Sequence, residues 1–331
     1  MNPSQRLLVL YTGGTIGMQM SASGLTPASG FEARLRAEQQ DHPERPVPAW
    51  TFRELSPPLD SANMTQENWL AMRDAIVEAV DGAGCDAVLL LHGTDTLAYS
   101  AAALSFLLLG IQVPVLLTGS MQPAGAPGSD AWPNLFGALA LLTQGVAPGV
   151  YLYFNGLLLH GARASKLRSE AFDAFVDHQR PRHAQALAEL PAALHYRQPR
   201  QPVRLAIQPL FPGLAPEQLR AVLDSGVQAL LLECYGSGTG PSDNPAILAA
   251  LREAHDRGVV LAAISQCPQG HVEFGVYAAG SALAATGLAS GSGMSREAAL
   301  GKLFSLLGTG LEQAEVERLF SLDLCGESAA D

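Results

Sequence analysis

The sequence predicts an α/β fold of two domains, each a mainly parallel sheet flanked by helices, with the N-terminal domain the larger. Three observations predict it. Residues 88–91, 113–118 and 229–232 are short, continuous apolar runs, suited to strands covered on both faces. Helical segments alternate with such runs along the chain, the pattern of βαβ units. Residues 178–204 interrupt the alternation with Pro, Arg, Gln and His and no apolar periodicity, as an excursion between domains would. The length of 331 residues suits about two domains. We therefore expect an N-terminal domain over 1–185, a linker over 186–203 and a C-terminal domain over 204–331.

The elements follow in order. Residues 6–11 form the first buried strand, which ends in Thr12-Gly13-Gly14-Thr15-Ile16-Gly17. The glycines permit a tight turn with close backbone approach to a ligand. Their adjacency, followed by Thr15, departs from the G-x-G-x-x-G dinucleotide fingerprint. Residues 18–30 are small, polar and Gly/Pro-containing, as a mobile loop would be. A helix over 31–40 and a strand over 51–55 lead into a polar loop that carries Ser61. Thr65 opens a capping-box pattern with Asn68 in place of the usual Glu or Gln, and a helix runs on to about residue 83.

The strand at 88–91 breaks at His92-Gly93, places Thr94, Asp95 and Thr96 in a row, and opens into an Ala/Leu-rich helix. Asp95 or Thr96 either caps that helix, as those residue types favour, or serves a ligand in the crevice where parallel strands end. Strands at 113–118 and 150–154 flank a helix over 129–144. The chain then turns polar over 161–175, where Lys166 alone among small residues reads as a solvated surface charge. In the second domain, strands at 204–208, 229–232 and 259–264 alternate with helices at 216–224 and 244–257. Helices at 296–307 and 312–320 close it.

Composition excludes several function classes. Hydrophobic residues make up 48% and charged ones 15%, so the chain can bury substantial cores. A net charge of −11 with no Lys/Arg cluster repels phosphate backbones, so no nucleic-acid partner is expected. Gly110, Gln112 and Pro114 punctuate the most apolar region below the length of a membrane span, and the N-terminal apolar run is too short for a signal-peptide core. Cys85, Cys234, Cys267 and Cys325 are scattered without a C-x-x-C pair, a usage that fits a reducing compartment. We expect a cytoplasmic protein without a membrane partner. His178, His183 and His195 lack metal-ligand spacing and are expected to face solvent, so no metal is predicted.

Three hydroxyl-bearing loops, at Thr15, Ser61 and Thr94-Asp95, each follow a predicted strand. In one parallel sheet their strand ends face a common crevice. A threonine hydroxyl becomes a nucleophile when a neighbouring base takes its proton. Lys166 could serve if burial and neighbours lowered its pKa. A charged Asp95 opposes that depression, and better suits orienting the lysine or binding a cationic substrate group.

The segments TGGTIG (12–17) and LHGTDTLAYSA (91–101) closely resemble the two signature motifs of bacterial L-asparaginases, the cytoplasmic type I branch in particular. The resemblance continues through LDSANMT (59–65), TGSMQP (118–123), KLRSEAFDAF (166–175), YGSG (235–238) and SQCPQG (265–270), essentially the whole chain in family order. It implies an asparaginase-like fold, a small-molecule substrate, L-asparagine, hydrolysed to aspartate and ammonia, no metal or organic cofactor, and a homodimer or homotetramer. By the same resemblance Thr15 is the nucleophile that forms an acyl-enzyme, and Thr94, Asp95 and Lys166 activate the hydroxyl or the hydrolytic water. Gly14, Ser61, Gly93, Thr94 and Asp95 form the substrate-binding set, with Ser61 on the α-carboxylate and Asp95 on the α-amino group. Backbone N–H groups near Thr94 would stabilise the tetrahedral oxyanion.

The chain departs from the family pattern twice. Leu25 stands in the lid where relatives carry a tyrosine hydrogen-bonded to the nucleophile. Type I relatives can also bind asparagine at an allosteric site built on a cysteine, here Cys267, and an arginine whose place Glu233 takes. Repulsion between that acid and a ligand carboxylate predicts weak or absent allosteric activation. Glutamine or another small amide is the alternative substrate, since one methylene gives only modest discrimination. A catalytically weak amino-acid-binding protein is the alternative of a different class.

Overall fold

The structure, a computed structural model, describes residues 6–22, 24–45, 47–177 and 184–328. The chain divides into two compact units, Met1–Asp177 and His178–Asp331.

The first unit contains β1 (Arg6–Gly13), β2 (Gln19–Ser21), β3 (Gly24–Thr26), α1 (Phe31–Asp41), β4 (Ala49–Leu59), α2 (Gln66–Val77), β5 (Ala87–Leu91), α3 (Leu97–Leu107), β6 (Pro114–Thr118), α4 (Ala131–Gln144), β7 (Gly149–Phe154), β8 (Leu157–His160), β9 (Ala164–Lys166) and β10 (Phe175–Asp177). Six strands form one sheet in the order β4-β1-β5-β6-β7-β8, parallel except for β8. Every residue of β5 is fully buried, which its uninterrupted apolar sequence requires of a central strand. The charge-free α3 is likewise buried almost all round and shows no polar stripe.

The strand order sets the place of the crevice. From β1 the chain leads to β4 on one side, and from β5 to β6 on the other, so the switch point lies between β1 and β5. Tyr11 pairs with Leu91 at their C-terminal ends. The segments beginning at Thr12 and His92 therefore leave the sheet side by side.

Three local differences from the expected elements have physical reasons. Residues 18–30 hold a hairpin, β2–β3, with Met20 opposite Leu25 and Ser21 Oγ donating to Gly24 O at 2.7 Å. Strand β8 was not expected, although Asn155-Gly156 between two apolar runs is a hairpin signal; their φ values of 47° and 79° suit a primed turn. The capping box at Thr65 is completed by Asn68, whose Oδ1 accepts the Thr65 N–H at 2.9 Å, and the helix ends in a π turn at Glu78–Gly82.

The second unit contains β11 (Leu205–Pro209), α5 (Pro216–Asp224), β12 (Ala229–Cys234), α6 (Pro245–Asp256), β13 (Val260–Ser265), α7 (Ala278–Ala284), β14 (Ala289–Ser290), α8 (Arg296–Leu307) and α9 (Gln313–Phe320). Its sheet runs β11-β12-β13-β14, all parallel. The short α7 and β14 carried no periodic signal. The described part of 186–203, expected as a linker, packs into this unit. Arg200 is buried, with Nε donating to Ser305 O at 3.1 Å and Nη2 to Leu194 O at 2.9 Å. The guanidinium supplies the order that apolar periodicity would have signalled. His195 is half-buried against Tyr196, their rings 4.6 Å apart, while His178 and His183 lie outside the described residues.

Candidate active site

The turn after β1 and the turn after β5 meet through their backbones. Gly14 has φ 84° and donates its N–H to Leu59 O at 3.0 Å. A Cβ on Gly14 would overlap the Gly93 backbone and stand 2.6 Å from the His92 carbonyl carbon. Only glycine permits this approach. It delivers Thr15 to the crevice as the first residue of a 3₁₀ turn, Thr15–Gly17, closed by Met18 N–H donating to Thr15 O at 3.1 Å. Thr15 is half-buried, and no described residue hydrogen-bonds its hydroxyl.

Ser61 approaches from the end of β4. Asp60 caps the 3₁₀ turn Ser61–Asn63 by accepting the Ala62 N–H at 3.1 Å. Ser61 is 3% exposed, yet no described residue hydrogen-bonds its hydroxyl either. That hydroxyl lies over Gly93, where an added Cβ would stand 2.5 Å from Ser61 Oγ. Gly14, Gly93 and Ser61 thus form one contiguous wall.

Lys166 arrives from the end of β9, which packs on α3. The strand is fixed by antiparallel pairing with β10, Lys166 opposite Phe175, and by Leu167 N–H donating to Ala174 O at 2.7 Å. Its ammonium donates to Thr94 Oγ1 at 2.9 Å and to Asp95 Oδ1 at 2.9 Å. Thr94 is buried while the Asp95 side chain is 63% exposed, so the ion pair spans the edge of the crevice. Lys166, which in isolation reads as a surface charge, is joined to the Thr94-Asp95 pair. No hydrogen bond links Thr15 to these three residues; the two groups share the crevice through the Gly14–Gly93 contact.

Two buried side chains support the walls. His92 is fully buried, with Nδ1 2.7 Å from Gly93 O and Nε2 2.9 Å from Ser100 Oγ, which also accepts from Trp69 Nε1 at 2.9 Å. A carbonyl can only accept, so Nδ1 carries a proton; burial pushes the ring's pKa down to about 4, which leaves Nε2 unprotonated to accept from Ser100 Oγ. Sequence reasoning missed this relay, because a histidine beside Gly93 does not announce a serine and a tryptophan on two helices. Tyr11 donates its hydroxyl to Ala28 O at 3.0 Å, so it does not stand in for the missing lid tyrosine. Burial, then the charge of Glu54, raises its pKa to about 12. Leu25 itself is 45% exposed on β3.

The remaining expected residues lie in the second unit. Cys267 follows β13 and is exposed, its N–H donating to Ser265 Oγ at 3.1 Å. Glu233, on β12, is buried and held by Arg296 through Nε at 2.5 Å and Nη2 at 2.9 Å. The acid is therefore neutralised in place, which alters the repulsion argument for this position. Among the described residues no group of three His, Cys, Asp or Glu side chains is placed to hold a metal ion, and no helix is long and apolar enough to cross a membrane.

Comparison with known proteins agrees along the whole chain. Residues 6–200 match the family model "Asparaginase, N-terminal", and residues 204–320 match "Glutaminase/Asparaginase C-terminal domain". The chain is 37% identical to L-asparaginase 1 of Escherichia coli K12 over 98% of either chain. The crystal structure of L-asparaginase I from Vibrio cholerae superposes with a TM-score of 0.84 at 35% identity, covering 98% of this chain and 99% of that one. The thermostable L-asparaginase from Thermococcus kodakarensis superposes equally well, TM-score 0.84 at 30% identity, over 99% and 100% of the two chains.

Proposed function

This chain belongs to the asparaginase family, and we propose that it hydrolyses the side-chain amide of L-asparagine to aspartate and ammonia with Thr15 as the nucleophile. The enzyme class, a hydrolase of carboxamide C–N bonds, follows from the family. One observation carries the mechanism: the hydroxyls of Thr15 and Ser61, without a partner among the described residues, share a crevice with a Lys166–Thr94–Asp95 chain.

Thr15 Oγ attacks the amide carbon and its proton passes to the departing nitrogen, which leaves as ammonia. The resulting ester is cleaved by water, which restores the Thr15 hydroxyl and releases aspartate. Lys166, when neutral, accepts the proton of Thr94 as Thr94 takes one from the nucleophile or the water. Asp95 holds the ammonium so formed. The Thr94 N–H, which has no acceptor among the described residues, serves the oxyanion. Ser61 binds the α-carboxylate, and the exposed Asp95 carboxylate binds the α-amino group. Gly14 and Gly93 supply the wall against which the substrate lies.

The enzyme works in the cytoplasm as a homodimer or homotetramer. The free cysteines support the first statement. Leu157 and Leu158, 52% and 39% exposed on the edge strand β8, support the second.

Ammonia release from asparagine and from glutamine, by the native chain and by Thr15→Ala, tests this function. Fast release from asparagine that collapses in the variant supports it. Faster release from glutamine moves the substrate assignment and leaves the chemistry. Asparagine binding without release overturns the enzymatic reading, and makes Leu25 the reason, since a leucine cannot hydrogen-bond the nucleophile.

A further inference from the structure

Thr96 occupies the N-cap position of α3, where a threonine side chain ordinarily accepts an N–H of its own helix. Here it caps nothing: no side-chain capping bond is made, and the backbone lies at φ −120°, ψ 15°. Its hydroxyl instead donates at 2.8 Å to the carbonyl of Ser61, thirty-five residues away. The Ser61 carbonyl already accepts the Met64 N–H at 3.1 Å, which closes the 3₁₀ turn, so Thr96 adds a second and lateral restraint. On its other side the Ser61 side chain lies against Gly93, so closely that a Cβ there would stand 2.5 Å from Ser61 Oγ. With no hydrogen-bond partner among the described residues, the Ser61 hydroxyl is aimed by contacts to its own backbone and to Gly93.

We propose that Thr96 is a positioning residue for substrate affinity, which acts by fixing Ser61 against the α-carboxylate of the substrate. The proposal rests on the asparaginase reading, because that reading gives Ser61 its ligand. Thr96 is one residue from the Lys166 partner Asp95, so the segment Thr94-Asp95-Thr96 divides its work. Its first two residues serve proton transfer and the substrate amine, and the third aligns the neighbouring loop. The restraint acts equally on bound substrate and transition state, since the α-carboxylate does not react. Its loss raises KM and leaves kcat in place.

The experiment compares Thr96→Val, which keeps the shape and removes the hydroxyl, with Thr96→Ser, which restores it, alongside Ser61→Ala and the Ser61→Ala/Thr96→Val double variant. We expect Thr96→Val to raise KM for asparagine on the order of tenfold, the size of one lost hydrogen bond, with kcat within about twofold. Thr96→Ser returns KM to the native value. Because no cap bond is removed, the melting temperature falls by no more than a few degrees. In the Ser61→Ala background Thr96→Val adds nothing further, the signature of one residue acting through another. An unchanged KM in Thr96→Val, or a KM effect that persists undiminished without the Ser61 hydroxyl, overturns the proposal while asparagine hydrolysis stands. If the native chain does not hydrolyse asparagine, the functional reading falls, and the proposal with it.

Discussion

Gly14 and Gly93 lie in the turns after two different strands, β1 and β5, yet their backbones touch so closely that a Cβ on the first would overlap the second. The contact gives a test with an internal control. Gly14 and Gly30 share a φ of 84°, but a Cβ on Gly30 meets nothing within 4 Å. Gly30→Ala should therefore cost only the left-handed backbone penalty, about 1–2 kcal/mol, and keep its activity. Gly14, at ψ 174° against 18° for Gly30, lies in a region essentially reserved for glycine, so Gly14→Ala carries a larger backbone penalty and also drives the two turns apart. We expect a loss in kcat/KM on the order of a hundredfold, the usual consequence of displacing a reacting group by about 1 Å. Equal activities in the two variants would show that the close approach is unimportant.

Lys166 can be separated from stability. Its partner Asp95 is largely exposed, so the ion pair contributes at most about 1 kcal/mol. Lys166→Met should melt within a few degrees of the native chain and lose about a hundredfold to ten-thousandfold in kcat, the range for a general acid–base group. Lys166→Arg should not rescue it, because a guanidinium does not deprotonate. Recovery of turnover in the arginine variant would reduce Lys166 to an electrostatic role.

The parallel strands and the crevice were legible in the sequence because continuous apolar runs and hydroxyl-bearing turns are local signals. Lys166 was not legible from its own surroundings; it reaches Thr94 by a strand pairing, Lys166 to Phe175, that no periodicity reports. Thr96 was legible as a cap or as a crevice residue but not as a partner of Ser61, since helix position says nothing of a serine on another loop. Glu233 looked like an unpaired acid until Arg296, sixty-three residues on, closed around it. The buried pair of Lys302 and Glu327, both wholly enclosed and 2.6 Å apart, had no sequence signal at all. What escaped in each case is a long-range polar contact, which depends on the finished fold rather than on any window of residues.

His92 gives a pH dependence with a definite sign. Burial holds its pKa near 4 in the folded chain, against 6.5 for the free side chain. Between these values the unfolded chain binds a proton that the folded chain refuses. Stability contributed by the neutral ring is complete above pH 6.5 and is lost as pH falls toward 4, by about 3 kcal/mol in all. His92→Gln should flatten this part of the stability curve for the first unit, followed by hydrogen exchange of β5. A native curve already flat between pH 6.5 and 4 would contradict the buried neutral ring.

Allosteric activation should be weak or absent, for a reason the structure sharpens. Glu233 stands where the resemblance to type I relatives implies an arginine, and its buried carboxylate is bound by Nε and Nη2 of Arg296. Its carbonyl accepts from Leu210 N–H at 3.0 Å and from Gln266 Nε2 at 2.7 Å, so the residue is fixed at both ends. The pair is neutral, and repulsion is not the obstacle. A free amino acid that drew Arg296 away from Glu233 would leave a buried carboxylate uncompensated, at a cost of several kcal/mol. The rate should therefore rise hyperbolically with asparagine, and Cys267→Ser, at an exposed thiol, should leave the curve unchanged. A sigmoidal native curve would mean that Arg296 does exchange partners. Glu233→Gln, by weakening the internal pair, should then shift the threshold to lower asparagine.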